Sequence, residues 1–291
     1  MEFFKPLTPV ISVFLLVAVG FVFARWKKIS LASVTEIIVY LGTPCLVFTS
    51  LASRPLFAAD LVVLFIGLVV LFAGVGLLIW LYFLIFRFRS RGFALPVLFM
   101  NAGNMGIPLA LFAFGPPGMQ RATLLFVIIT FFQYSLGIYI LSGRGDWSEI
   151  FRLPLIYATL AGLSFNLGQV TVPELIFQPL SLLGQSTLPL MLVSLGYRLH
   201  DFQSLQWGHA VGGALLRILG GFTAAAMAVS LVGADGVNRQ VLLLYGSLPA
   251  AVINFILTEK FSQDPNLAAS IVVLSTFLSV FTIPLVLWLI L

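Results

Sequence analysis

The run LTPVISVFLLVAVGFVFA, Leu7 to Ala24, carries no charged residue, and stretches of the same kind recur along the whole 291-residue chain. About 20 apolar residues cross roughly 30 Å of hydrocarbon as a helix, whereas a barrel strand needs only about ten. Such runs confine the chain to helices in a bilayer, because a helix satisfies its backbone N–H and C=O groups within one segment. Hydrophobic residues make up 60% of the chain and charged residues 9%, and the mean hydropathy is +1.12, far from a soluble globular composition. The first run lacks a basic leader and a small-residue cleavage motif, so it reads as a first membrane helix rather than a signal peptide.

The pattern predicts an all-α integral membrane protein of ten helices, near 7–24, 33–52, 61–86, 93–114, 121–141, 153–170, 178–199, 208–232, 238–258 and 266–290. Short polar or Pro/Gly-containing stretches separate them, among them RWKKIS, GPPGMQR, SGRGDWSEIFRLP and SQDPN. Lys5, Arg54, Arg121 and Arg239 fall on one side. Arg25, Lys27, Lys28, Arg87, Arg89, Arg91, Arg144, Arg152, Arg198 and Lys260 fall on the other. The positive-inside rule puts the second set in the cytoplasm and both termini outside. The net charge of +5 thus reflects membrane orientation and carries no implication of nucleic-acid binding.

A break near SGRGDWSE divides the chain into two halves of five spans, 1–145 and 146–291. An odd number of spans per half makes the second half enter the membrane in the opposite sense, the condition for an inverted-topology repeat. Irregularities recur in register: Pro44 and Pro189 in the second span of each half, Pro108 and Pro249 in the fourth. A Pro inside a helix removes a hydrogen bond and clashes with the preceding turn, at about 3 kcal/mol. Around the fourth-span prolines lie Asn101, Gly103, Asn104, Met105 and Gly106, matched by Gly246, Ser247 and Asn254. Helices 4 and 9 are therefore expected to be broken and to cross at mid-depth, where half-helix N-termini attract an anion. Gly and Asn in membrane helices also serve close packing and interhelical hydrogen bonding, and both readings stand at this point.

The motif NAGNMGIPLALF, a later SLPAAVINFILTEKF, ten spans and a short central loop resemble the auxin efflux carrier family, which shares a fold group with the bile acid/sodium symporters. The resemblance covers essentially the whole chain. It implies a scaffold of helices 1, 2, 6 and 7 (about 7–52 and 153–199) and a transport domain of helices 3–5 and 8–10 (about 61–141 and 208–290). It also implies export or exchange of small organic anions, auxin-like carboxylates or malate- and malonate-type dicarboxylates, by a homodimer joined through the scaffold. Substrate contact would fall to Asn104 and Asn254, with Asn101, Met105, Gly106, Pro108, Gln133, Ser247 and Pro249 around them, and Pro44 and Pro189 would act as hinges. Sodium-coupled relatives place an acidic residue at the helix 9 crossing, where Leu248, Ala250 and Ala251 flank Pro249 here. The same fold also accommodates sodium- or proton-coupled symport and a non-transporting receptor role.

Three ionisable residues remain. Arg217, a third of the way into helix 8, serves either an anion path or snorkelling to the headgroups. Glu36 and Glu259 lie near the cytoplasmic surface, where solvation and a proton-coupling role are the two readings. The single Cys45 excludes an internal disulfide, and no GxSG, HExxH, paired-Asp or P-loop motif is present. No cofactor or metal is implied. The expected setting is a bacterial inner membrane, with lipid as the surrounding partner.

Overall fold

The computed structural model describes residues 7–143, 151–201 and 206–291, and the regular elements among them are all helices. Lys5, Arg144 and the centre of the break between the halves lie outside them. Seven helices among the described residues are long and apolar enough to cross a bilayer: Leu7–Trp26, Leu31–Ala52, Ala58–Phe86, Ala102–Ser142, Glu174–His200, Gly208–Val232 and Pro265–Ile290. Pro154–Leu167 is apolar but only 14 residues long. Large apolar side chains such as Leu175, Trp26 and Phe281 are exposed on the outer surface. Water would penalise so broad an apolar surface, whereas lipid tails do not.

Seven long helices stand where ten spans are expected, and part of the difference has local causes. The predicted span 93–114 divides into a helix at Arg91–Leu98 and a helical run that restarts at Ala102. Phe99, between them, is extended at φ −103 and ψ 115. The predicted span 238–258 divides into helices at Gly236–Ser247 and Val252–Lys260. Leu248, before Pro249, is extended at φ −65 and ψ 147, as a residue preceding proline prefers. The run from Ala102 to Ser142 is itself bent at Gly115, whose φ of 69 and ψ of −164 suit only glycine. Pro189, by contrast, lies inside the continuous helix Glu174–Asp201, so the two second-span prolines do not behave alike. Pro44 follows a π-helical turn at Ile38–Gly42.

Where the two interruptions meet, their backbones satisfy one another. Met100 and Ala250 form an antiparallel bridge, with Asn101 N donating to Pro249 O at 2.7 Å and Ala251 N to Phe99 O at 3.2 Å. Ala250 N donates to Ser275 Oγ at 3.1 Å, and Asn254 Nδ2 to Phe99 O at 2.8 Å. Such mutual pairing satisfies the backbone groups that an interruption in a helix leaves free. The Tyr245 hydroxyl, fully buried, ties the region to the neighbouring helix by donating to Ala122 O at 2.7 Å.

Elsewhere the helices approach closely through glycine. Leu7–Trp26 packs extensively on Glu174–Asp201, and a Cβ at Gly20 would overlap Val193 O while one at Gly196 would overlap Val17 O. The contact is reciprocal, as small-residue helix pairs in membranes are. Gly196→Ala is expected to cost about 1–3 kcal/mol by overpacking, read as a lower Tm in detergent, while Gly76→Ala, with open space around it, leaves Tm unchanged.

Candidate functional site

A cavity of about 200 Å³ lies beside the meeting point of the interrupted helices. One wall is the meeting point itself, Met100 to Asn104 and Ala251 to Ile253. A second is the helical run after Gly115, through Phe126, Ile129, Thr130, Gln133 and Tyr134. The facing wall belongs to the Leu31–Ala52 segment, through Thr35, Ile38, Val39 and Thr43, and to Glu174–Asp201, through Met191, Ser194 and Arg198. The lining therefore comes from segments far apart in the sequence.

Three features give it polarity. Asn101, a lining residue, is 3% exposed, and its Nδ2 is a buried donor without an acceptor. Two helix starts face the same space, at Ala102 and at Val252, and neither is capped by a side chain. Each start carries about half a positive charge and orphan N–H groups, the makings of an anion site. Arg198 is the only charged residue among the described lining, half-buried in the last turn of its helix, and donates to Thr35 Oγ1 at 2.8 Å. The remaining lining is largely apolar.

The sequence-predicted residues divide around this space. Asn101, Asn104 and Gln133 line it. Asn254 does not: it is fully buried, its Oδ1 accepts from Gln133 Nε2 at 2.6 Å, and its Nδ2 is used on Phe99 O. Its role in the structure is to brace Gln133 and the interrupted backbone. Ser247 Oγ turns back on Leu244 O at 2.7 Å, and Pro249 contributes its carbonyl to the bridge. Met105, Gly106 and Pro108 are buried behind the wall, Gly106 against the Tyr245 ring. Glu36 and Glu259 are exposed and line no part of the cavity. Arg217 does not snorkel; it is completely buried beneath the interruptions.

From the sequence Arg198 reads only as an orientation charge, and Thr35, Met191, Ser194 and Thr130 do not stand out. The signal for Arg198 was present: Met191, Ser194 and Arg198 stand at i, i+3 and i+7, one face of one helix. A second missed feature is the π-helical turn. The four described ones, Ile38–Gly42, Ala102–Gly106, Gln133–Gly137 and Leu216–Gly220, either line the cavity or hold Arg217 beneath it. Single π turns concentrate at functional sites, but no residue type marks them.

The family model described as membrane transport protein matches residues 6–150 and 144–287. An uncharacterized transporter of Methanocaldococcus jannaschii is 27% identical over 306 residues, covering 98% of this chain and 99% of that protein. Another uncharacterized transporter, of Methanothermobacter thermautotrophicus, is 27% identical over 293 residues, 95% of each chain. The family and both relatives are described as transporters, not enzymes.

Proposed function

Because the chain belongs to the membrane transport protein family, the group to which its auxin-efflux-carrier motifs pointed, we propose that it moves small organic anions across the membrane by alternating access. The observation that carries this reading is the cavity whose buried donor, Asn101 Nδ2, lacks an acceptor between two uncapped helix starts. Arg198 adds a full positive charge at its rim. At about 200 Å³ the space is smaller than the roughly 300–1,000 Å³ of drug-sized ligand sites, in keeping with a small carboxylate.

In this reading the chain makes ten passes as two inverted five-helix repeats, 1–145 and 146–291, with the interrupted helices crossing near mid-depth. The packing of Leu7–Trp26, Thr43–Ala52, Pro154–Leu167 and Glu174–Asp201 on one another supports a scaffold of helices 1, 2, 6 and 7. The other helices would move against it, with the cavity at the seam. Pro44, beside its π turn, is the better hinge; Pro189 lies in unbroken helix. Both termini would face outward from a bacterial inner membrane, and a homodimer would form through the scaffold. The described lining holds no carboxylate, which favours transport without a coupled cation over sodium- or proton-coupled symport. A cytoplasm-negative potential then favours anion exit by about 2.3 kcal/mol per charge per 100 mV.

The test is thermal stabilisation of the purified protein by a panel of organic anions, with and without sodium, repeated on Asn101→Ala and Asn104→Ala. Stabilisation by a carboxylate, lost in folded variants and indifferent to sodium, is the expected result. Stabilisation only by neutral or lipid-like ligands would remove the anion carrier and favour a receptor role.

A further inference from the structure

Arg217 is the largest fully buried side chain in the described structure, at 0% exposure. It projects from the π turn Leu216–Gly220, and its contacts are unusual for a buried cation. One terminal nitrogen, Nη1, donates to Val97 O and Leu98 O, both at 2.9 Å, and Nη2 donates to Gly246 O at 2.9 Å. Nε has no acceptor, and no carboxylate pairs with the guanidinium among the described residues. A lone buried charge held this way would be costly unless something else supplied the negative counterpart.

The three acceptors supply it. Val97 and Leu98 close the helix Arg91–Leu98, and Gly246 lies in the last turn of Gly236–Ser247, so all three are end-of-helix carbonyls without a further helical turn to donate to them. Each helix end carries about half a negative charge, and two ends converging on one point amount to about one. A single guanidinium matches that sum. Its plane has been given room: a Cβ at Gly221 would overlap both Arg217 Nη2 and Gly246 O.

We infer that Arg217 is a counter-cation built into the chain, holding together the converging carbonyl ends of the two interrupted helices. The inference also holds that, once the side chain is removed, the same three carbonyls form a site for a small free cation. It concerns the side of the interruptions opposite to the helix starts and does not depend on which solute the cavity takes. One consequence is that the intact protein needs no inorganic cation to assemble this region.

Thermal unfolding of the purified full chain in sodium, potassium or choline chloride tests this. The wild type is expected to show one Tm in all three. Arg217→Met, similar in length but uncharged, should lose at least about 5 °C, Arg217→Lys should retain most of the wild-type Tm, and Gly221→Ala should fall with the Met variant. Arg217→Ala should regain stability with millimolar methylguanidinium or with sodium, and choline should have no effect. Arg217→Met matching the wild type, Arg217→Lys faring no better than Met, or a wild type that requires sodium would each overturn the inference. So would an Ala variant that folds but responds to neither small cation; should Ala fail to fold, the comparison of Lys with Met decides.

Discussion

Arg198→Glu is expected to weaken binding of an organic anion by at least about 100-fold, the largest loss of affinity available from one substitution in this cavity. The described lining carries no other charge, so reversing this one changes the sign of the field that an entering carboxylate meets. At about 5 Å and an effective dielectric near 20, one unit charge contributes roughly 3 kcal/mol, and each 1.4 kcal/mol is tenfold in affinity. Arg198→Gln, which can still donate to Thr35 Oγ1, should lose less than the reversal, and Arg198→Lys less again, because lysine keeps the charge without the planar fork. Stability should change little, since the side chain is only half-buried at the end of its helix. Ligand titrations followed by thermal shift measure all three variants on one scale. Equal affinity in Arg198→Glu and wild type would mean that the anion does not approach this rim.

The second large effect is on stability. Asn254→Leu removes the acceptor of Gln133 Nε2 and one of the two donors to Phe99 O, and both amide side chains are buried. A buried donor left without a partner costs about 1–3 kcal/mol, and a second weakened acceptor adds to it. A fall in Tm of about 3–7 °C follows for a chain of this size. The double variant with Gln133→Leu should cost less than the sum of the singles, because the stranded donor disappears with its partner. Additive effects would show that the Gln133 to Asn254 hydrogen bond contributes nothing in solution. Substrate affinity in Asn254→Leu should fall only through the displacement of Gln133, which lines the cavity where Asn254 does not.

Much of the architecture could be read from the sequence because lipid leaves few choices. Apolar runs of membrane length dictated helices, and the Pro and Gly residues of NAGNMGIP and YGSLPAAVIN marked where two of them would fail to stay continuous. The sequence could not reveal which polar side chains are consumed by the backbone. Asn101 and Asn254 look alike in a string of letters, yet one keeps a donor unpaired at the cavity and the other uses both ends of its amide internally. Arg198 was hidden by its position near a helix end, where a basic residue already has a sufficient reason to be. Pro44 and Pro189 occupy equivalent places in the pattern, but only the first adjoins a change in helical winding. Proline reports a lost hydrogen bond and not how the neighbours respond to the loss.

The π turn at Ile38–Gly42 contributes Ile38 and Val39 to the cavity wall and separates Thr35 from Thr43, which also line it. A π turn holds one more residue than the α turn it interrupts, and one residue corresponds to about 100° of rotation around a helix. Deleting a single residue there would swing Thr35, and the surface on which Arg198 rests, away from the cavity while leaving every lining residue type unchanged. The face that this segment turns to the cavity is thus a matter of phase as well as of composition. A sequence that gained or lost one position in this turn would present a different wall while keeping the same side chains.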